Sequence, residues 1–102
     1  MISDALATTK LDFAHFAWSH APEGDYGTWE EVLGNEFKSN GIVSEQVMSG
    51  VVDYFTRDDS GAPKAAIEKA MTDAGIVWHL SAVLYENDTG YIHYSWDYYE
   101  HG

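Results

Sequence analysis

The sequence predicts an α+β domain: a mainly antiparallel β-sheet with two helices packed on it, in the order α-β-β-β-α-β-β. Three observations carry that reading. Ala66, Ile67, Ala70, Met71 and Ala74 recur at helical spacing between Pro63 and Gly75. Two alternating runs, Ile76 to Tyr85 and Ile92 to Tyr98, flank Asn87-Asp88-Thr89-Gly90 as a β-hairpin does. A third extended run, Val43 to Arg57, is rich in Val and aromatic residues. The length of 102 residues fits one domain, 1–102, with a single core.

Taken in order, Ile2 to Thr9 reads as a short helix with Ser3 as its N-cap, Asp4 in its first turn, and Ile2, Ala5, Leu6 and Thr9 on one face. Phe13 to Trp18 reads as a strand apolar on both sides, which argues for burial or an interface. His20 to Asp25 is a loop. Tyr26 to Phe37 carries mixed signals: Thr28-Trp29-Glu30-Glu31 resembles a capping box, whereas Tyr26-Gly27 and Gly34-Asn35 favour an extended chain. Ser39-Asn40-Gly41 marks a turn, and Gly50 marks a bulge or bend inside the long third strand. Asp58 to Gly61 break that strand, Pro63 fits the first turn of the second helix, and Gly75 fits its C′ position. Pairing Tyr85 opposite Tyr91 places Trp78, Leu80, Leu84, Ile92, Tyr94 and Trp96 on the helix-covered face. It also sets His79 opposite Asp97, with His93 two pairs away on the same face.

The charge narrows the function classes. Seventeen acidic residues against five basic ones give −12. A nucleic-acid binder displaces counterions with a Lys/Arg stripe, and five scattered cations form none; anionic membrane surfaces are disfavoured for the same reason. No run approaches the ~18 apolar residues of a spanning helix and no signal-peptide pattern opens the chain, so a soluble domain is expected. With no Cys, disulfides, thiolate metal sites and thiol nucleophiles are excluded.

Chemical motifs are sparse. There is no HExxH, paired helical His or Cys/His tetrad, so no metal is expected. Ser44, Ser49, Ser81 and Ser95 fall inside strands and none occupies a GxSxG elbow. Gly24, Gly27 and Gly34 lack phosphate-loop spacing. His15 fits a packed side chain, and His20 and His101 fit solvent-exposed positions. The expectation is of no catalytic residue and no cofactor.

The aromatic content is more telling. Four Trp, seven Tyr and four Phe exceed what one small core readily buries, and Tyr and Trp are enriched at protein interfaces. The segment Asp97-Tyr98-Tyr99-Glu100 reads as an aromatic edge able to pair with another subunit. Phe16, Trp18, Asp25, Tyr26, Trp29, Tyr98 and Tyr99 are the candidate interaction residues.

The run Asp53-Tyr54-Phe55-Thr56-Arg57-Asp58, the helix carrying Ile67-Glu68 and Met71, the segment Gly75-Ile76-Val77-Trp78, and the hairpin Tyr85-Glu86-Asn87-Asp88-Thr89-Gly90-Tyr91-Ile92-His93-Tyr94-Ser95-Trp96 together resemble the tail-terminator or tail-completion proteins of long-tailed bacteriophages. The resemblance extends from about Phe13 onward. It implies a structural protein, monomeric or weakly associated in solution, that forms a hexameric ring on the tail-tube protein and presents a surface to the head connector. It further implies a place in the virion tail, reached from the host cytoplasm during assembly, with no catalytic residues. The loops Pro22–Tyr26 and Gly34–Ile42 are then candidate contacts with neighbouring subunits or the tube. In such a ring, carboxylates facing the bore repel DNA at short range, within the ~8–10 Å screening length, so that it passes without specific binding. The alternative is a small acidic DNA mimic that inhibits a nuclease or restriction protein. A mimic aligns Glu30, Glu31, Glu36, Glu45 and Asp53 in one stripe, whereas a ring subunit distributes its acids over loops and around a lumen.

Overall fold

The structure, a computed structural model, describes residues 1–20, 22–32 and 47–101. The expected loop Gly34–Ile42 and the start of the strand expected from Val43 lie outside the described residues. The elements are α1 (Ile2–Thr8), β1 (Phe13–His15), β2 (Tyr26–Val32), β3 (Val47–Thr56), α2 (Ala62–Asp73), β4 (Val77–Tyr85) and β5 (Ile92–His101). They form the α+β domain and the element order that the sequence predicts.

The five strands make one sheet in the order β1-β2-β3-β5-β4. β1 runs parallel to β2 and every other pairing is antiparallel. β5 therefore lies between β3 and β4, which the α2 crossover links as a split β-α-β unit.

Both helices lie on the same face of the sheet. Ile2, Ala5 and Leu6 of α1 and Ile67 and Met71 of α2 pack on Val52 and Tyr54 of β3 and on Tyr94, Trp96 and Tyr98 of β5. Trp96, Tyr98, Val52, Ile67 and Met71 have no solvent exposure. Each such side chain contributes about 1.5–3 kcal/mol by leaving water. The Trp96 indole nitrogen donates to Glu68 at 3.0 Å, and Lys64 pairs with the same carboxylate at 3.1 Å, so the largest core side chain also ties α2 to the sheet. Pro63 sits in the first turn of α2, and Gly75, with φ at 77°, follows its C-cap.

Four expectations are corrected. The N-cap of α1 is Met1, and Ser3 lies inside the helix. β1 stops at His15, because Phe16 turns out of the strand with φ at 70°. Gly50 makes no bulge: it pairs in register with Glu31 and Tyr98. The Glu30 carbonyl and the Tyr98 ring both lie against it, and a Cβ would clash with the carbonyl oxygen and sit 2.5 Å from ring carbons, so the glycine serves close approach. The irregularity falls instead between Leu80 and Ala82 of β4. The predicted hairpin register holds from Trp78↔Tyr98 to Leu80↔Trp96. Beyond the bulge it shifts by one, so Tyr85 pairs with Ile92 and Leu84 turns to the face opposite the helices, 58% exposed.

Because the Glu30 carbonyl and the Tyr98 ring fill the space beside Gly50, G50A should lose about 3 kcal/mol of stability in urea unfolding. G24A, whose Cβ would meet open space, should change by no more than about 0.5 kcal/mol.

Candidate functional site

With the helices on one face, strand parity fixes what the other face carries. The ladder registers order it in four rows across β2, β3, β5 and β4: Val32-Ser49-Tyr99-Val77, Glu30-Val51-Asp97-His79, Thr28-Asp53-Ser95-Ala82 and Tyr26-Phe55-His93-Leu84. The two outer rows are largely apolar or aromatic, and the carboxylates lie in the two inner rows. His79 stands opposite Asp97 and His93 shares their face, as the sequence predicts. The fourth row is a stack: the Tyr26 and Phe55 rings are 4.8 Å apart and the Phe55 and His93 rings 4.1 Å apart. His93 is joined to Asp53 through Nε2 at 2.9 Å. Burial, reinforced by neighbouring Tyr91 and Glu86, raises the Tyr26 hydroxyl above the ordinary phenol range.

A second cluster forms at the β1–β2 edge. The His15 ring stacks between Phe16 at 4.1 Å and Trp29 at 5.0 Å, and its Nε2 meets Glu31 at 2.6 Å. That hydrogen bond holds the Glu31 carboxyl below its ordinary range. Phe16 is 59% exposed and its positive φ costs about 1–3 kcal/mol, which its neighbours offset. The Trp18 indole nitrogen donates to the Gly27 carbonyl at 2.9 Å.

The third feature is the end of the sheet at the β4–β5 turn, where the loops before β2, after β3 and between β4 and β5 carry Glu23, Asp25, Asp58, Asp59, Glu86 and Asp88 along with Arg57. Arg57 lies 4.1 Å over the Tyr91 ring and donates through Nε to the Thr89 carbonyl at 2.9 Å. Asp25 accepts from the Thr56 hydroxyl, and the Tyr91 hydroxyl donates to the Gly24 carbonyl at 2.8 Å, so the Pro22–Tyr26 loop is pinned to the sheet. The Ser60 hydrogen bonds lower the Asp58 carboxyl below its ordinary range.

The predicted interaction residues thus divide by location. Phe16 and Trp29 flank His15 at the β1–β2 edge, where Trp18 is held to Gly27; Asp25 and Tyr26 lie at the acidic end, and Tyr99 lies at the opposite end of the uncovered face. Tyr98 is fully buried, which leaves it a packing role; its parity with Trp96 in β5 already carried that signal. Burial also drives the Tyr98 hydroxyl far above the phenol range and raises Tyr54 to about 12. Asp53, Phe55, His93 and Asp97, which share the face by register, are not among the interaction residues singled out from the sequence. Among the described residues, no group of three or more His, Asp or Glu side chains is arranged to hold a metal ion. No helix described is long and apolar enough to cross a membrane. No family model matches the chain, and no curated protein matches it.

Beside Tyr98, Glu100 is buried, and one of its carboxylate oxygens has no hydrogen-bond partner among the described residues. Burial raises its pKa, while the Met1 ammonium and a hydrogen bond from the Ile2 N–H pull the other way. A carboxyl raised on folding stabilises the fold in its protonated form, and that contribution is lost as pH rises through the folded-state pKa. E100Q keeps an acceptor and removes the buried charge, so at pH 7 it should gain about 1 kcal/mol. Thermal unfolding at pH 7 and at pH 4 should show the gain at the higher pH and its decline at the lower.

Proposed function

We propose that this domain is a structural subunit of a phage or prophage virion, one that caps the tail tube and joins it to the head connector as a hexameric ring. The observation that carries this reading is the sheet face that no described element covers, four strands wide, with aromatic and apolar rows at both ends and the long strand β4 at its edge. That edge, β4, contains no Asp, Glu, Lys or Arg from Val77 to Tyr85, and it exposes Val77, Val83, Leu84 and Tyr85. In a chain of charge −12, it is the stretch along which copies of like charge can approach without opposing carboxylates. The sequence resemblance supplies the identity of the assembly.

The distribution of acids favours the ring over the DNA mimic. Glu30 and Asp53 share the uncovered face, but Glu31 points to the other face and meets His15. The further acids named for a mimic stripe, Glu36 and Glu45, lie outside the described residues. The gathered acids lie at one end of the sheet, among the loops. A ring subunit that presents this end to a bore would repel passing DNA over a Debye length of ~8–10 Å.

The test is to mix the protein with tail tubes assembled from the tube protein of the same genome and to view the tube ends by electron microscopy. A sixfold ring at one end is the expected result. Bare tube ends, together with binding of a nuclease or restriction protein that weakens with salt, would replace the ring with the mimic.

A further inference from the structure

On the uncovered face, between the first two rows, lies a depression of about 220 Å³ lined by Val32, Ser49, Gly50, Val51, Asp97 and Tyr99. Its origin is local. Ser49 is the small residue between Val32 and Tyr99 in the first row, so the surface dips there, and Asp97 stands beside Val51 in the next. Two walls are aliphatic, one is a tyrosine ring with 43% of its surface exposed, and one is a half-buried carboxylate. Among the described residues, Asp97 takes part in no ion pair.

Those walls select one kind of guest. An anion meets the Asp97 carboxylate. A neutral apolar side chain desolvates that carboxylate without pairing it, which is costly. A Lys or Arg side chain satisfies every wall: its methylenes lie along Val32 and Val51, and its cationic head reaches both the carboxylate and the face of the Tyr99 ring. Glu30, next to Val51 on the side away from Asp97, adds attraction at longer range.

Among the described residues no Lys or Arg lines the depression, so the cation is assigned to another protein. Arg57 is engaged with Tyr91 and the Thr89 carbonyl, Lys64 with Glu68, and Lys69 with Asp73. With seventeen acidic residues to five basic, a second copy of this chain is a poor donor, and a basic partner is drawn to the face by its charge. We propose that this depression is a binding site for a single Lys or Arg side chain presented by a basic segment of a partner protein. The site stands on its own geometry and does not require the hexameric ring.

The experiment is a titration of isotopically labelled protein with the peptide acetyl-Gly-Arg-Gly-amide, followed by amide chemical shifts, with the norleucine peptide as the uncharged control. The arginine peptide should produce saturable shifts at Ser49, Val51, Asp97 and Tyr99, and the norleucine peptide should not. D97N should weaken binding by about fivefold or more, as expected for loss of a partly exposed charge-assisted contact, while E23Q, in the acidic loop, leaves it unchanged. Y99L should weaken it as well, and the spectra themselves report whether each variant is folded. Shifts confined to the acidic loops, equal binding by folded D97N, or no saturable shift at Ser49 to Tyr99 would each overturn the proposal.

Discussion

The ten-residue ladder between β3 and β5 decides which side of every neighbouring strand meets the helices. Side chains alternate across a strand, so once Val52, Tyr54, Trp96 and Tyr98 turn toward α1 and α2, Val51, Asp53, Phe55, Asp97 and Tyr99 turn away. The two helices cover one layer only. Gly50 makes the tightest part of that layer possible, because the Tyr98 ring occupies the place a side chain would need. The composition of the uncovered face is thus a consequence of how the core is filled, and Glu68, holding both Trp96 and Lys64, keeps α2 aligned with the ladder.

The chemistry of the surface then divides in two. Carboxylates collect at the end of the sheet where Arg57 and Tyr91 bind the Pro22–Tyr26 loop down, and aromatic rings occupy the uncovered face and the β1–β2 edge. Net charge of this size opposes self-association in solution and favours basic or screened partners. β4 departs from this pattern: uncharged, nine residues long and at the edge, it carries a bulge that interrupts a flat pairing surface.

Elements with an unbroken period were legible in the sequence. α2 is bounded by Pro63 and Gly75, and the alternation of β4 and β5 placed Trp78, Leu80, Tyr94 and Trp96 on the helix face. What escaped depends on single backbone events that leave no mark in residue type. Nothing in Leu80-Ser81-Ala82 announces the bulge, yet it moves Leu84 from the core face to the exposed one. Gly50 has the same composition signal for a bulge and for a ring lying against it. The candidate site was less legible than the fold, since Asp53, His93 and Asp97 become neighbours of Phe55 and Tyr99 only when β5 inserts between β3 and β4. Of the aromatic residues singled out, Tyr98 could have been assigned to the core from its parity with Trp96.

The most direct test of the uncovered face as the assembly surface uses the absence of Cys from the chain. Single cysteines placed by S95C, in the middle of that face, and by A65C, on the exposed side of α2, would each be joined to a bulky maleimide. Each conjugate would then be sedimented with tail tubes. Loss of co-sedimentation for the Ser95 conjugate and its retention for the Ala65 conjugate is the expected result. Retention at Ser95 with loss at Ala65 would contradict it and move the assembly surface to the helices.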